Sequence, residues 1–398
     1  MWSSNLLLFA AVFFVEQAAV EALPLTGTDL IDIGKVVDAA RYNVSNNLQT
    51  GIPSPMPLQA FGNFRTLPLE DVIQDPTLIN STTVPDNVSS SGSSIEESKL
   101  AEPELEDLSA VASCTSPQTR IEWRSYSSSQ RQAFVNAIAC LMNLPSAGSG
   151  FSPSTSRYED FVRTHQKMTP KVHGNGIFIL WHRYFVYTFE QALRTQCGFS
   201  QPFPWWDETK DSGKFHLSPL FTNQYFGSLP GPTQGSGTCI VDGQFANLTC
   251  HIGPGTSYVA HCLSRAVDES LTSESSTAYV NYCAGLSTTG SFGSCVETGP
   301  HAYGHNGIGS VMADVYSSPS DPIFFMHHLF IDHELWSWQQ KNTAYTQAVT
   351  NACADSSSPC TNPVTLTTLL DMNGLRANAN VGDILNTKGG VLCYKYDY

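Results

Sequence analysis

Six of the chain's eleven histidines fall into two sets of three, and that spacing is the feature best able to do chemistry. His165, His173 and His182 form the first set; His301, His305 and His328 form the second. His301 and His305 stand at i and i+4, which on a helix aims both imidazoles the same way and lets them grip one metal ion. Imidazole suits copper, zinc, iron or nickel. No HExxH or ExxH carboxylate pattern accompanies the histidines, which disfavours metalloproteases and carboxylate-bridged di-iron proteins. Two neutral all-histidine sites facing one another suit a redox-active copper pair. Taken alone, His328 among phenylalanines reads as a core histidine with a satisfied partner, and only its five counterparts turn it into a ligand. His327 points about 100° away from His328 on a helix and reads as a non-ligand. His216, His251, His261 and His333 lack any supporting pattern and read as loop or surface residues.

Helices must carry these side chains. Residues 127–143 place Phe134, Val135, Ile138, Leu141 and Met142 on one face, and Pro145 closes that helix. Residues 157–168 put Tyr158, Phe161, Val162 and His165 at i, i+3, i+4 and i+7, with Pro170 expected to end the helix. His173 follows in the connection Lys-Val-His-Gly-Asn-Gly, whose glycines permit close approach of backbone. A long helix over 176–196 lines up Phe178, His182, Phe185 and Phe189. Residues 200–300 read as long irregular loops with short helices. A short helix over 301–306 starts after Pro300 and stops at Gly307. The last site helix begins after Ser320 or Asp321, takes Pro322 in its first turn, and puts Phe324, His328, Ile331, Asp332 and Leu335 on one face. Asp332, four residues after His328, is placed to orient a ligating imidazole. Glu297 and Asn306 either position a water that deprotonates a phenol or are solvated helix-end residues. A strand is expected within 390–396.

Composition bounds the class. Charged residues are 14% of 398 and the net charge is −15, which argues against a nucleic-acid partner. Leu6 to Val15 is an apolar run of signal-peptide length, with cleavage expected near Ala22, and no later stretch is long enough to span a membrane. Sequons at Asn43, Asn80, Asn87 and Asn247 suit surface glycosylation of a secreted chain. Eleven cysteines without CxxC pairs fit an oxidising compartment and disulfides, with at least one thiol left over. Residues 1–22 are thus read as a signal peptide and 114–398 as the compact domain. Between them, 23–113 holds thirteen acids against four bases, with no cysteine or histidine. It reads as an acidic, glycosylated extension or a propeptide that shields a site, with Ser81–Asp107 as linker.

The residues also carry a resemblance. His173-Gly-Asn-Gly-Ile-Phe-Ile-Leu-Trp-His182-Arg-Tyr-Phe is similar to the first copper motif of tyrosinases and catechol oxidases. Asp321-Pro-Ile-Phe-Phe-Met-His327-His328-Leu-Phe-Ile-Asp332 resembles their second. Arg120-Ile-Glu-Trp-Arg, Pro204-Trp-Trp-Asp and Cys393-Tyr-Lys-Tyr396 stand in the family's order, so the likeness covers about 114–398, the extent of a short fungal-type member. It implies a mainly α fold in which an antiparallel four-helix bundle holds a dicopper site amid long irregular loops and few short strands. One copper would sit on His165, His173 and His182, the other on His301, His305 and His328. Dioxygen would be the co-substrate, and small phenols or catechols would be oxidised to o-quinones. A haemocyanin-like oxygen carrier and a phenol-tailoring oxidase of secondary metabolism are the alternatives.

Several positions depart from the family. Lys171 stands where many members have a cysteine that crosslinks to the second ligand. His333 stands where a basic Arg or Lys is common, and Trp206-Asp-Glu-Thr replaces a more usual Trp-Asp-Trp. No lid domain follows Tyr398, so any shield must come from the N-terminal extension.

Overall fold

The computed structural model describes residue 56 and residues 63–74, 114–233 and 235–398. The expected signal segment, the linker and the sequons at Asn43, Asn80 and Asn87 lie outside the described residues. Asn247 is exposed, as a glycan acceptor must be.

The chain is mainly α. Its principal helices are α1 (Leu69–Gln74), α2 (Ser128–Asn143), α3 (Arg157–Val172), α4 (Phe178–Cys197), α5 (Thr289–Val296), α6 (Ala302–Ile308) and α7 (Ile323–Lys341). Local chemistry sets their ends. Ser127 caps α2 and forms a reciprocal capping box with Gln130. The Ser156 side chain accepts from the Glu159 N–H at the start of α3. Gly198, at φ 66°, closes α4 in the left-handed conformation that glycine adopts without penalty.

Pro170 does not end α3. The helix runs on to Val172, because the missing N–H costs only one bond in the last turn. His173 then caps that turn, its Nδ1 meeting the Thr169 carbonyl at 3.2 Å.

Ring contacts give the direction of packing. Along α3 and α4, Tyr158 meets Phe189, Phe161 meets Phe185 and His165 meets His182, so the two helices run antiparallel. Along α4 and α7, Phe189 stacks on Phe325 and His182 on His328, again antiparallel. The histidine-bearing α6 supplies the fourth wall. Residues 323–332 of α7 are buried on every side, as a central helix with apolar residues all round must be. Among the described residues no helix is long and apolar enough to cross a membrane.

Strands are few and short. A three-stranded sheet brings β1 (Gln118–Glu122) between β2 (Pro204–Trp205) and β3 (Tyr394–Tyr396), parallel to both, with Ile121 opposite Pro204 and Gln118 opposite Tyr394. The Cys114–Cys393 disulfide fastens the same junction, tying the start of the domain to its end. Four further disulfides join Cys140–Cys197, Cys239–Cys262, Cys283–Cys295 and Cys353–Cys360, leaving Cys250 as a buried free thiol. The leftover thiol expected from an odd count is therefore Cys250.

Candidate metal centre

The helices deliver the histidines to two clusters. His165 projects from α3, His173 from its C-cap and His182 from the first turns of α4. A π turn, Glu297–His301, joins α5 to α6 with its kink at Gly299, and α6 carries His305 while α7 carries His328. The ligand-capable nitrogens of His165, His173 and His182 lie within 4.8 Å of one another, and so do those of His301, His305, His327 and His328. All six expected residues are brought together as two sets. The sets adjoin: the rings of His182 and His328 stack at 4.4 Å, and His173 lies 6.2 Å from His301.

Hydrogen bonding settles which ring nitrogen faces inward. Nδ1 of His165, His173, His182, His301 and His305 meets the carbonyl of Tyr316, Thr169, Phe178, Glu297 and Met312 respectively. A carbonyl only accepts, so each Nδ1 carries the proton and each Nε2 presents a lone pair. Nε2 of His165 and of His182 then stand 3.4 Å apart with two lone pairs converging; Nε2 of His305 stands 3.2 Å from Nε2 of His328, whose own Nδ1 is buried without a partner and leaves its tautomer open. Nε2 of His173 and of His301 is buried without a partner. Converging lone pairs without a donor repel unless a cation lies between them. Burial also holds the imidazoles neutral: His165 is lowered to about 4 and His173 to about 3, and His182, His301, His305 and His328 fall well below the usual histidine value. A neutral, nitrogen-only donor set fits copper and excludes the oxygen-seeking cations calcium and magnesium.

His327 has surroundings that the sequence reading did not supply. It does point away from His328 along α7, yet it joins the second cluster. Its Nδ1 binds Glu208 Oε1 at 2.6 Å instead of a backbone carbonyl, and its Nε2 is buried without a partner. Gly304 makes the approach possible, since a Cβ there would lie 2.5 Å from His327 Cε1. The sequence did hold a signal for this pair: Glu208 is in the Trp-Asp-Glu-Thr stretch that departs from the family pattern.

Asp332 corrects a second expectation. It orients no imidazole. One oxygen accepts from Arg183 at 2.6 Å, and the other from Arg120 at 2.8 Å, Tyr394 at 2.6 Å and Tyr396 at 2.7 Å. Burial pushes its carboxyl upward, but Arg183, Arg120 and the hydrogen bonds outweigh this and hold it below the usual aspartate value. Asp332 is the hub of a buried ion network that ties α4 and α7 to β1 and β3.

Glu297 and Asn306 are not solvated helix ends either. Glu297 Oε1 accepts from the Gly174 N–H at 2.6 Å, and burial raises its carboxyl to about 8. Asn306 Nδ2 donates to the Phe64 carbonyl at 2.7 Å. Of the first-motif glycines, Gly176 makes the expected close approach, since a Cβ there would lie 2.9 Å from the Cys353 nitrogen, while Gly174 has open space and instead takes φ 69°.

The walls are aromatic. Phe178 lies 4.5 Å from His301 and Phe324 4.1 Å from His328. Outside them opens a cavity of about 600 Å³, bordered by Phe64, His173, Gly174, Glu297 and Asp355. Phe64, missed in the sequence, stacks on His305 at 3.9 Å. No periodicity or motif marks it.

Comparison with known proteins agrees with this geometry. The family model for the common central domain of tyrosinase matches residues 155–341, which span all six histidines. The tyrosinase-like protein phomQ1 of Diaporthe leptostromiformis is 32% identical over 312 residues, covering 71% of this chain and 78% of that protein. The N-acetyl-6-hydroxytryptophan oxidase ivoB of Emericella nidulans is 27% identical over 344 residues, covering 70% and 92%. Among solved structures, a point mutant of a polyphenol oxidase from Thermothelomyces thermophila superposes with a TM-score of 0.65 at 27% identity, covering 71% of this chain and 89% of that one.

Proposed function

The chain belongs to the tyrosinase family and is a copper phenol oxidase, and from that premise we propose that it holds two coppers and converts o-diphenols to o-quinones. The observation that carries this reading is the pair of adjacent clusters of inward-facing, neutral imidazole nitrogens. His165, His173 and His182 hold the first metal ion and His301, His305 and His328 the second. Copper, when bound, supplies the redox couple through which electrons pass from the phenol to dioxygen. Two catechols lose four electrons and four protons to one dioxygen, giving two quinones and two waters.

The chain's own residues do the rest. Backbone carbonyls fix the tautomers and so the direction of five lone pairs. Phe178 and Phe324 exclude water from the imidazoles. The His305 ring face on which Phe64 stacks is the stacking face an aromatic substrate would take from the cavity once Phe64 moves aside. The ivoB name extends the candidate substrates from simple catechols to hydroxyindoles. The apolar run at Leu6–Val15, the sequons and the five disulfides support a secreted, glycosylated enzyme whose residues 23–113 form an extension to the 114–398 domain.

The test is metal content followed by oxygen uptake on a matched monophenol and diphenol. About two coppers per chain and oxygen consumed with a catechol support the reading. A single zinc, with no quinone from any catechol or hydroxyindole, sinks it.

A further inference from the structure

One stretch of backbone orients a ligand from each cluster. His305 Nδ1 meets the Met312 carbonyl at 2.8 Å, and His165 Nδ1 meets the Tyr316 carbonyl at 3.0 Å. The other three fixed imidazoles are served locally. His173, His182 and His301 each meet the carbonyl four residues earlier in their own segment, that of Thr169, Phe178 and Glu297. For those three the helix or turn that carries the ring also aims it. His165 and His305 depend instead on where residues 312–316 are placed.

That placement falls to Asp314. A 3-10 turn, Ser310–Ala313, delivers the Met312 carbonyl, and Asp314 ends it. The Asp314 carboxylate is buried and takes four donors. Oδ1 accepts from the N–H groups of Tyr316 at 2.9 Å and Ser317 at 3.3 Å. Oδ2 accepts from the Ser317 hydroxyl at 2.8 Å and the Gly255 N–H at 2.6 Å. The first three bonds wrap the chain around its own carboxylate, as aspartate does in tight turns. The fourth ties the turn to a loop outside both histidine motifs. From the other side the Thr169 hydroxyl lies 3.3 Å from the Val315 carbonyl, so α3 rests on the same turn. Among the described residues Asp314 bonds to none of the six histidines.

We propose that Asp314 is a positioning residue for both metal ions at once: by fixing the 312–316 backbone it sets the tautomer and the aim of one ligand in each cluster. The proposal rests on the two-copper reading above and adds what couples the two sites. A centre that uses two metal ions on one substrate needs their ligands at a fixed spacing, and a strut common to both clusters supplies it. Without the carboxylate, the buried N–H groups of Tyr316 and Gly255 lose their acceptor and the turn opens. His165 and His305 are then free to move the proton to Nε2, where the lone pair is needed.

The test compares the full chain as wild type, Asp314→Ala and Asp314→Asn. Asp332→Asn serves as the reference, since it also removes a buried carboxylate charge but one that orients no imidazole. Two readouts are taken: copper bound per chain against a competing chelator, and histidine nitrogen NMR signals of the metal-free chain, which tell an Nδ1–H ring from an Nε2–H ring. Asp314→Ala should weaken copper at both sites, roughly 10- to 100-fold each, while Asp332→Asn leaves both unchanged. Asp314→Asn keeps an oxygen for the Tyr316 N–H but turns an amide toward Gly255. It should show a smaller loss, again at both sites, and it carries the comparison if the alanine variant fails to fold. In the metal-free Asp314 variants His165 and His305 should lose the Nδ1–H form, while His173, His182 and His301 keep it. Wild-type affinity and wild-type tautomers in a folded Asp314 variant overturn the proposal, and a loss confined to one copper overturns the coupling. A wild-type chain that binds no copper overturns the oxidase reading, and the histidine signals then still decide whether Asp314 orients the two rings.

Discussion

Replacing Asp332 with asparagine separates its structural role from the metal-orienting role its position in the second motif suggests. The substitution keeps the shape and removes the charge. Arg183 would be left with neutral partners alone, among them Gln339 and the Leu385 carbonyl, and Arg120 would retain Glu190 and the Tyr396 hydroxyl. Both guanidinium groups are fully buried. Removing one partner from a buried ion pair costs about 3–5 kcal/mol, because it strands the remaining charge. At roughly 2–4 °C per kcal/mol for a domain of this size class, Tm should fall by roughly 6–20 °C. The pH dependence has a definite sign. The folded-state carboxyl lies below its ordinary 3.8, so its contribution is fully present above that value and is lost as pH falls through the folded value. The gap between wild type and Asp332→Asn should therefore be flat from pH 5 to 8 and should close only below about pH 3.8. The assay is calorimetry across that range on copper-loaded protein, with metal content measured alongside. An unchanged Tm together with loss of copper from the second cluster would refute the network argument and return Asp332 to the metal.

Three further outcomes follow from the same contacts. His328→Ala should lower copper to about one per chain with the fold retained. His327→Ala should keep both coppers but lose about 1–3 kcal/mol, since it leaves the buried Glu208 Oε1 without its hydrogen-bond partner; equilibrium unfolding and metal analysis distinguish the two variants. Glu334 is buried with neither oxygen partnered, and desolvation raises its carboxyl well above 4.5. Between its unfolded and folded values the unfolded state ionises first, so stability falls as pH rises, by about 1.4 kcal/mol per unit. Glu334→Gln should remove that slope and be more stable than wild type at pH 7 but not at pH 4.5, as read from urea midpoints.

How much of this was legible in the sequence depended on the range over which each feature is encoded. The six histidines were legible because helical spacing and two long motifs are local. The same holds for α2, whose apolar face and Ser127 cap lie within one segment, and for the long apolar runs of α4 and α7. Pro170 misled because a proline's cost depends on where in the helix it falls, and in the last turn it is small. Asp332 misled because its partners Arg120, Tyr394 and Tyr396 come from opposite ends of the chain and meet only when β1 and β3 pair. The partner of His327 was not legible because helical geometry gives a direction but not what fills it; the carboxylate of Glu208 arrives from a loop 119 residues away. The Cys140–Cys197 pairing was closed to spacing arguments for the same reason.

The identity of the ring at the mouth has a chemical logic of its own. An oxidase of phenols must keep its own phenols from the metal, and the chain does so in two ways. Burial pushes the hydroxyls of Tyr158, Tyr394 and Tyr396 well above the usual tyrosine range, which suppresses the readily oxidised phenolate. Each is also engaged, Tyr158 with the Pro319 carbonyl and the other two with Asp332. Among the described residues no tyrosine ring packs against any of the six histidines, whereas Phe64, Phe178 and Phe324 all do. Of these three, Phe178 and Phe324 are held inside helices and cannot leave. Phe64 comes from the segment ahead of α1, at the cavity. A phenylalanine there covers the His305 ring and offers no hydroxyl to oxidise.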